Sequence, residues 1–303
     1  MLLGREVEAD VKVDVVNHLR RCQCVDGGFG GGPMQLAHTA PTYASVMALV
    51  TLGTLDALRT INRPKLYQYL FSLRDGHGGF RVHHDGEADS RGMYTVLAVA
   101  SLTNILTPEL AEGAVEWVTR SQGFDGGVGG EPGNESHGGY AYCALASMVI
   151  LNRAKEALDL NALAYWLASR QMAVEGGFQG RTNKLVDSCY SFWQGACFAL
   201  LRLADPEADF AWLDDDALGK YVLGACGHPN GGFRDKPGQG RDFYHTCYAL
   251  SGLSVAGCGL ADGELLRTDP VFNVECNKLE VARAFFDGFK CDHALLSSEV
   301  DEL

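Results

Sequence analysis

The sequence predicts an all-α fold made of repeated helical hairpins, and three observations support this prediction. A Gly-Gly pair followed by an apolar residue recurs five times, at steps of 51, 48, 50 and 55 residues. A polar loop and then a run of 13 to 16 small and apolar residues follow each pair. A more amphipathic segment completes each unit. Recurrence at a fixed period is typical of stacked supersecondary units.

The elements of each unit can be assigned in order. The pairs stand at Gly27-Gly28, Gly78-Gly79, Gly126-Gly127, Gly176-Gly177 and Gly231-Gly232. The run after each pair is apolar nearly all round, which predicts a buried inner helix, whereas segments such as 63–70 and 160–167 keep a polar face and predict outer helices. We expect five repeats over about 26–260, a C-terminal helix at about 276–290, and a single domain covering 1–303.

A period near 50 residues is also typical of kelch propeller blades. Each blade needs four short alternating strands, whereas the runs in this chain are rich in Ala and Leu with helical spacing. Helical hairpins are therefore favoured. Stacked hairpins form either an open solenoid or a closed α-α barrel (toroid), and repetition by itself leaves this choice open. The polar residues described below favour a barrel with a central cavity.

Composition and charge exclude several classes of function. The chain carries 38 acidic and 25 basic residues, a formal charge of −13, which argues against a general nucleic-acid binder. No apolar run is long enough to span a membrane, and residues 1–10 lack the apolar core of a secretory signal. The ten cysteines then indicate reduced thiols. We expect a cytoplasmic protein that binds no nucleic acid and is not transmembrane.

One column of the repeat carries polar residues. The inner helices align on Tyr43, Tyr94, Tyr140, Tyr190 and Tyr248, and three residues earlier stand Ala40, Arg91, His137, Asp187 and His245. Equivalent positions point the same way, so this column predicts a polar ring at one mouth of the barrel. Helix N-termini there favour anions. Helix capping is the plain alternative; it fits Asp187 but leaves Arg91 and two histidines unexplained.

Asp187, Cys189 and His245 supply O, S and N donors from two helix starts. This mixture suits Zn²⁺, and three protein ligands leave a position open, as in catalytic sites. The spacing by itself is weak evidence, because Cys189 is also compatible with an ordinary buried thiol. The pair Cys22 and Cys24 lacks partner ligands for a second site.

Three long segments resemble the β-subunit family of protein farnesyltransferases: GGFGGGPMQLAHTAPTYASVMAL, GGFQGRTNKLVDSCYSFWQGA and DKPGQGRDFYHTCYALSGLS. The resemblance runs from about Asp26 to Leu253, with a weaker match at 269–273. It implies an α-α barrel that pairs with a helical-repeat α subunit and transfers farnesyl from farnesyl diphosphate to the Cys of a C-terminal CaaX sequence. Family members extend further before the matching segment, which implies that N-terminal helices and an aromatic pair of the peptide pocket are missing here.

The resemblance also implies residue roles. Zinc is held by Asp187, Cys189 and His245, one ion per subunit, with Tyr190 and Lys184 assisting catalysis. The diphosphate is bound by His137, Arg181, Lys184, Tyr190 and Lys236, and Mg²⁺ accompanies it at Asp235. The prenyl chain contacts Arg91, Tyr94, Tyr140, Cys143 and Trp193. The peptide contacts His38, Ala40, Pro41 and Tyr248, with Tyr244 and Asp242 supporting His245. Plain core packing remains the alternative for the aromatic residues, and a solvated loop for Arg181 and Lys184.

Three other functions are alternatives to this one. The β subunit of geranylgeranyltransferase type I has the same chemistry, but Asp235 and the run 242–248 resemble the farnesyl enzymes. A terpene cyclase needs aspartate-rich motifs that the run 213–216 does not match. The third alternative is a truncated, non-catalytic subunit that still binds an α subunit. The intact set of zinc ligands argues against it, whereas the short N-terminal part argues for it, because helices that pack in the barrel would be missing.

Overall fold

The computed structural model describes residues 2–260, 263 and 265–298. Across these residues the secondary structure is helical, with isolated antiparallel bridges between single residue pairs and no extended β-strand. None of the helices found there is long and apolar enough to cross a membrane. The helical prediction is therefore confirmed at the level of secondary structure.

The chain divides into two compact units, which we call unit 1 and unit 2. Unit 1 consists of Met1, Glu6–Trp117 and Val274–Leu303, and unit 2 of Leu2–Arg5 and Val118–Asn273. The helices of unit 1 are α1 (Ala9–Cys22), α2 (Thr39–Leu52), α3 (Leu55–Arg59), α4 (Arg63–Ser72), α5 (Ser90–Leu102), α6 (Pro108–Ala111), α15 (Cys276–Phe286) and α16 (His293–Ser298); α7 (Ala114–Ser121) spans the boundary. The single domain over 1–303 stays a prediction.

Unit 2 contains the helices that carry most of the predicted site. These are α8 (Gly138–Ile150), α9 (Ala154–Ala157), α10 (Leu160–Ala168), α11 (Tyr190–Trp193), α12 (Gly195–Ala204), α13 (Asp215–Lys220), a π-helical segment (Tyr221–Cys226) and α14 (Phe243–Val255). The inner helices α8 and α12 are largely buried, as their apolar sequences predict, and α11 is half-buried. The inner helix α14 differs from this prediction: its second half contains the buried Ala249, Ser251, Gly252 and Leu253, but Phe243 and Tyr244 at its start are exposed. The outer helix α10 keeps Tyr165 69% exposed while Leu163 and Leu167 are buried.

Two boundaries differ from the sequence predictions. The fourth apolar run is interrupted at Gln194, where φ is −105° and ψ is −37°, so α11 and α12 are separate helices. The Gln194 side chain is fully buried and its amide has no hydrogen-bond partner among the described residues. The C-terminal helix expected at about 276–290 ends at Phe286, and α16 follows as a second short helix.

The first four Gly-Gly pairs lie where a loop touches the next outer helix or its start, whereas Gly231 has only the Arg241 side chain near it. Gly126 and Gly176 have φ of 89° and 79°, the left-handed region that favours glycine. A Cβ on Gly126 would lie 2.4 Å from the carbonyl oxygen of Ala162, and one on Gly176 would lie 2.5 Å from that of Ala217. These four pairs therefore fix the path of the loop that leads into the following inner helix.

A glutamine secures the same junction in successive repeats. Gln122 donates to the carbonyl oxygen of Asp159 at 3.0 Å and accepts from its amide at 2.9 Å. Gln171 makes the same pair of bonds with Asp214, at 2.9 and 3.0 Å. Because Asp159 and Asp214 are the N-caps of α10 and α13, each outer helix begins at a fixed point against the preceding loop.

Candidate metal and diphosphate site

The predicted polar column lies at helix N-termini. Arg91 is the second residue of α5, His137 is the N-cap of α8, and His245 is the third residue of α14. Asp187 stands three residues before Tyr190, where α11 begins. A residue of this column can cap a helix and also serve the site. His137 Nδ1 accepts from the Gly139 amide at 3.1 Å and so caps α8, which leaves Nε2 for another partner.

Asp187, Cys189 and His245 converge in unit 2. One ligand atom from each lies within 4.8 Å of the others, and His245 Nε2 is 3.3 Å from Asp187 Oδ1. Cys189 is 4% exposed. Burial, followed by the charge of Asp187, raises the pKa of the Cys189 thiol, so the thiolate needs a cation beside it. A carboxylate, a thiol and an imidazole at this separation fit a bound metal ion.

His245 is oriented by Asp242. The Nδ1–H of His245 donates to Asp242 Oδ2 at 2.6 Å, and the His245 amide donates to Asp242 Oδ1 at 2.7 Å, which caps α14. These bonds, the backbone one first, lower the pKa of the Asp242 carboxyl. With the proton held on Nδ1, Nε2 presents its lone pair on the side of Asp187. A carboxylate behind a metal-binding histidine is the usual arrangement in metal centres.

Ser188 connects the candidate metal ligands to the loop of Asp235. Its hydroxyl donates to the Arg234 carbonyl oxygen at 2.8 Å, and its amide donates to the Asp235 carbonyl oxygen at 2.9 Å. Asp235 Oδ2 accepts from Lys236 Nζ. Asp235 Oδ1 is buried and has no hydrogen-bond partner among the described residues. An orphaned carboxylate oxygen of this kind is a suitable ligand for a hard cation such as Mg²⁺.

His137 and Tyr190 form a second polar pair. Tyr190 Oη and His137 Nε2 are 3.0 Å apart. Burial, and then the charge of Arg181, lower the pKa of His137, which favours the neutral ring. Since Nδ1 accepts from Gly139, the ring proton is on Nε2 and is donated to Tyr190 Oη. The Tyr190 hydroxyl proton is then available to a further acceptor.

The two predicted loop cations differ in their contacts. Arg181 Nη1 is 3.0 Å from Glu135 Oε2, with the two side chains 43% and 60% exposed. Lys184 is exposed, and its amide donates to Gln179 Oε1 at 3.2 Å. In the described part of the chain, the Lys184 side chain forms no hydrogen bond or ion pair. Sequence reasoning missed Glu135, for which its position two residues before His137 was the available signal.

Aromatic rings lie beside the candidate metal ligands Cys189 and His245. The ring centroids of Trp193 and Tyr248 are 4.5 Å apart, and those of Tyr244 and Tyr248 are 4.8 Å apart. Trp193 Nε1 donates to Tyr244 Oη at 3.2 Å. Trp193, expected at the prenyl chain, therefore shares a cluster with Tyr248, expected at the peptide, and with Tyr244, expected to support His245. Tyr142, which sequence reasoning missed, joins it at 5.1 Å from Trp193.

The remaining predicted contacts of unit 2 are on α8. The ring centroid of Tyr140 lies 5.4 Å from that of His137. Cys143 is buried, one helical turn further along. The Tyr142 side chain is held by its hydroxyl, whose proton is shared between the carbonyl oxygens of Pro270 and Val271 at 2.9 and 3.0 Å. No spacing in the sequence indicated that this distant segment would hold it.

The other predicted site residues lie in unit 1. Arg91 is paired with Asp89 at 2.5 Å and with Glu87 at 3.0 Å. The hydroxyls of Tyr94 and Tyr43 are 3.0 Å apart. His38 is the N-cap of α2, accepting at Nδ1 from the Ala40 amide at 3.0 Å, and Pro41 follows in the first turn. Burial and the neighbouring His83 lower the pKa of His38.

Comparison with known proteins identifies the family of the chain. The prenyltransferase alpha-alpha toroid domain family matches residues 1–274. The chain is 43% identical to the protein farnesyltransferase subunit beta of Arabidopsis thaliana, over 84% of this chain and 65% of that protein. It is 36% identical to the subunit of the same name from Pisum sativum, over 94% of this chain and 86% of that protein.

A solved structure shows the same fold. The Candida albicans protein geranylgeranyltransferase-I complexed with GGPP matches with a TM-score of 0.66 at 23% identity, over 82% of this chain and 74% of that one. The expected all-α toroid class is thereby confirmed. The chain spans just under two thirds of the length of the Arabidopsis relative. By the match to the toroid domain and the similarity to the pea subunit, the chain belongs to the prenyltransferase family and, within it, to the protein farnesyltransferase β subunits.

Proposed function

We propose that this chain is the catalytic β subunit of a zinc-dependent protein farnesyltransferase. It would transfer farnesyl from farnesyl diphosphate to the Cys of a protein ending in CaaX, as a cytoplasmic heterodimer with an α subunit. The observation that carries the proposal is the convergence of Asp187, Cys189 and His245 within 4.8 Å. The names of the Arabidopsis and pea relatives support the farnesyl donor over the geranylgeranyl alternative.

The reaction exchanges one bond for another. A carbon–sulfur bond forms between the substrate Cys and C1 of the farnesyl chain, and the C1–oxygen bond breaks. The diphosphate leaves with the electron pair, and the thiol proton goes to solvent. Zinc bound to Asp187, Cys189 and His245 would supply a Lewis acid that lowers the pKa of the substrate thiol.

The leaving diphosphate carries concentrated negative charge, so stabilising it is the main task of the chain's own residues. Tyr190 would donate its hydroxyl proton to a diphosphate oxygen, since its own oxygen already accepts from His137 Nε2. Arg181 and Lys184 would add positive charge from the loop before Asp187. Asp235, with its orphaned Oδ1, would hold Mg²⁺ at the same group, beside Lys236.

The ligand set is kept in place by residues outside it. Asp242 holds the His245 ring so that its Nε2 is turned to the metal. Ser188 fixes the backbone between Asp187 and Cys189 to the Asp235 loop. In unit 2 the prenyl chain would lie against Tyr140, Cys143 and Trp193, and Arg91 and Tyr94 of unit 1 stay predicted prenyl contacts. Tyr248 of unit 2 would contact the peptide, with Tyr244 supporting His245, and His38, Ala40 and Pro41 of unit 1 stay predicted peptide contacts.

The test is co-expression of the full chain with a farnesyltransferase α subunit. Transfer to a CaaX peptide is measured with farnesyl and geranylgeranyl diphosphate in parallel. We expect farnesyl transfer that is lost in Cys189→Ala and kept in Cys22→Ala, which removes a buried thiol of unit 1 instead. Geranylgeranyl transfer as the faster reaction would favour the type I enzyme. A heterodimer without transfer would identify a non-catalytic subunit.

A further inference from the structure

Unit 1 contains a groove that is not part of the site described above. It lies between α3, the start of α4, the end of α15 and α16, and has a volume of about 620 Å³. Its floor is formed by the buried side chains of Leu58, Ile61 and Phe286. Phe289 and Leu295 stand at its rim, 45% and 39% exposed. Apolar, concave sites of about 300–1,000 Å³ are typical of small-molecule binding.

The rim of this groove is cationic although the chain is acidic. Arg59 and Lys290 both line it and are exposed. In the part of the chain that the structure describes, neither side chain forms an ion pair or a hydrogen bond. No Asp or Glu is among the residues that line the groove. Two unpaired cations around an apolar floor are complementary to an anionic group attached to a hydrocarbon.

A third cation, Arg63, keeps the groove open. It is 8% exposed, and its guanidinium donates to the carbonyl oxygens of Thr103 and Asn104 at 2.7 and 2.5 Å. It also donates to the Lys290 carbonyl oxygen at 3.3 Å and lies 4.7 Å from the centre of the Phe289 ring. These contacts hold the segment carrying Lys290 and Phe289 at the rim. The groove is therefore formed before any ligand arrives.

We propose that this groove binds a single-chain anionic amphiphile. Its carboxylate or phosphate head would lie between Arg59 and Lys290, and its hydrocarbon chain would cover Leu58, Ile61 and Phe286. The guanidinium of Arg59 offers two parallel donors, which match the oxygens of either head group. Moving the hydrocarbon chain from water onto the apolar floor lowers its free energy. A cationic head would be repelled by Arg59 and Lys290 at the rim.

Photolabelling tests the proposal on the full chain. The probe is a hexadecanoate bearing a diazirine in its chain, and adducts are mapped by mass spectrometry. We expect adducts in 58–64 and 285–296, reduced at least tenfold in the double variant Arg59→Glu with Lys290→Glu. The control, Arg21→Glu with Arg267→Glu, makes the same change in net charge at exposed cations away from the groove and should label like the wild type.

Competition identifies the head group. Dodecanoate and dodecyl phosphate are each expected to suppress labelling of 285–296, and the more effective one shows which anion is preferred. Dodecyltrimethylammonium should compete at least tenfold more weakly. Equal competition by the cationic amphiphile would overturn the proposal, as would equal labelling of 285–296 in both double variants. Labelling of the wild type that increases on dilution would assign the groove to contact between two copies and would also overturn it.

The labelling experiment tests the groove separately from the proposed transferase function. Farnesyl diphosphate is itself an anionic amphiphile, so adducts at α8 or α11 are expected as well. Those adducts should persist in the Arg59→Glu, Lys290→Glu variant and should be displaced by farnesyl diphosphate. Adducts confined to α8 and α11 would support the active site and refute the groove.

Discussion

Replacing Asp242 by Asn separates the orientation of His245 from the capping of α14. Asn is as good an N-cap as Asp, so the bond from the His245 amide, 2.7 Å in the wild type, is kept. The change removes the negative charge that accepts the His245 Nδ1–H at 2.6 Å. A hydrogen bond to a charged group contributes about 1.5–3 kcal/mol and a neutral one about 0.5–1.5 kcal/mol. The difference of about 1–2 kcal/mol corresponds to about fivefold to thirtyfold weaker zinc binding.

The zinc dissociation constant is measured by competition with a chromophoric chelator. The matched control is Asp214→Asn, because Asp214 caps α13 through the Ala217 amide at 2.9 Å and is not near the metal ligands. We expect Asp214→Asn to bind zinc like the wild type. Thermal unfolding of the metal-free protein should change little in Asp214→Asn, whereas Asp242→Asn weakens a hydrogen bond that the metal-free protein also has and should lower its unfolding temperature.

Asp242→Ala extends this comparison. It removes the cap as well as the charge, so the free energy of unfolding should fall by about 1 kcal/mol. Its zinc affinity should be no higher than that of Asp242→Asn. If Asp242→Asn binds zinc as tightly as Asp214→Asn, the role assigned to Asp242 in orienting His245 is refuted.

Three further predictions concern the diphosphate region. Gly180→Ala places a Cβ 2.2 Å from Tyr190 Oη, so the ring must move and turnover should fall at least about tenfold while zinc affinity is kept. Glu135→Gln releases Arg181 from its exposed ion pair and should tighten farnesyl diphosphate binding by about twofold to fivefold in a fluorescence titration. The pKa of His137 is lowered in the folded protein, so its contribution to stability is present above the ordinary His pKa of about 6.5. This contribution is lost as the pH falls from about 6.5 through the folded pKa. His137→Gln should therefore flatten the decrease in unfolding temperature as the pH is lowered below about 6.5.

Each of these predictions has a control and a result that contradicts it. Gly240→Ala adds a methyl group with nothing within 4 Å and should keep full turnover; equal turnover in Gly180→Ala would refute the contact with Tyr190. Weaker diphosphate binding by Glu135→Gln would mean that Glu135 assists the site. For the pH experiment, the exposed His18→Gln should behave like the wild type, and a similar profile in His137→Gln would contradict the assignment.

The repeat was enough to predict which segments are helices and that Asp187 and His245 lie at equivalent helix starts, whereas the role of these two residues and Cys189 as zinc ligands was implied by the family resemblance. Asp187 and His245 are separated by 58 positions, yet both occupy the same column of equivalent helix starts. The position of each inner helix could be predicted from its own segment, because a long apolar run marks the helix and a capping residue before the run marks its start. The orientation of His245 by Asp242 was also accessible, since the two residues are three positions apart at one helix start.

Other features depend on contacts that no local pattern encodes. The interruption at Gln194 occurs in a run that is apolar in sequence; in the fold its amide packs against the position of Gly138 on α8, where a Cβ would lie 2.5 Å from it. The helix α16 is held by the bond between Tyr67 Oη and His293 Nδ1 at 2.5 Å, which joins residues 226 positions apart. The pairing of Arg181 with Glu135 likewise bridges two repeats.

The measurement that tests the metal centre most directly is the absorption spectrum of the cobalt-substituted protein. If Cys189 ligates the metal, adding one equivalent of Co²⁺ to the metal-free chain gives an intense thiolate-to-cobalt charge-transfer band together with the visible bands of a tetrahedral site. The account predicts that Cys189→Ala loses the charge-transfer band and that Cys22→Ala, a buried thiol of unit 1, retains it. A band that persists in Cys189→Ala, or is absent from the wild type, would contradict the Asp187, Cys189 and His245 centre.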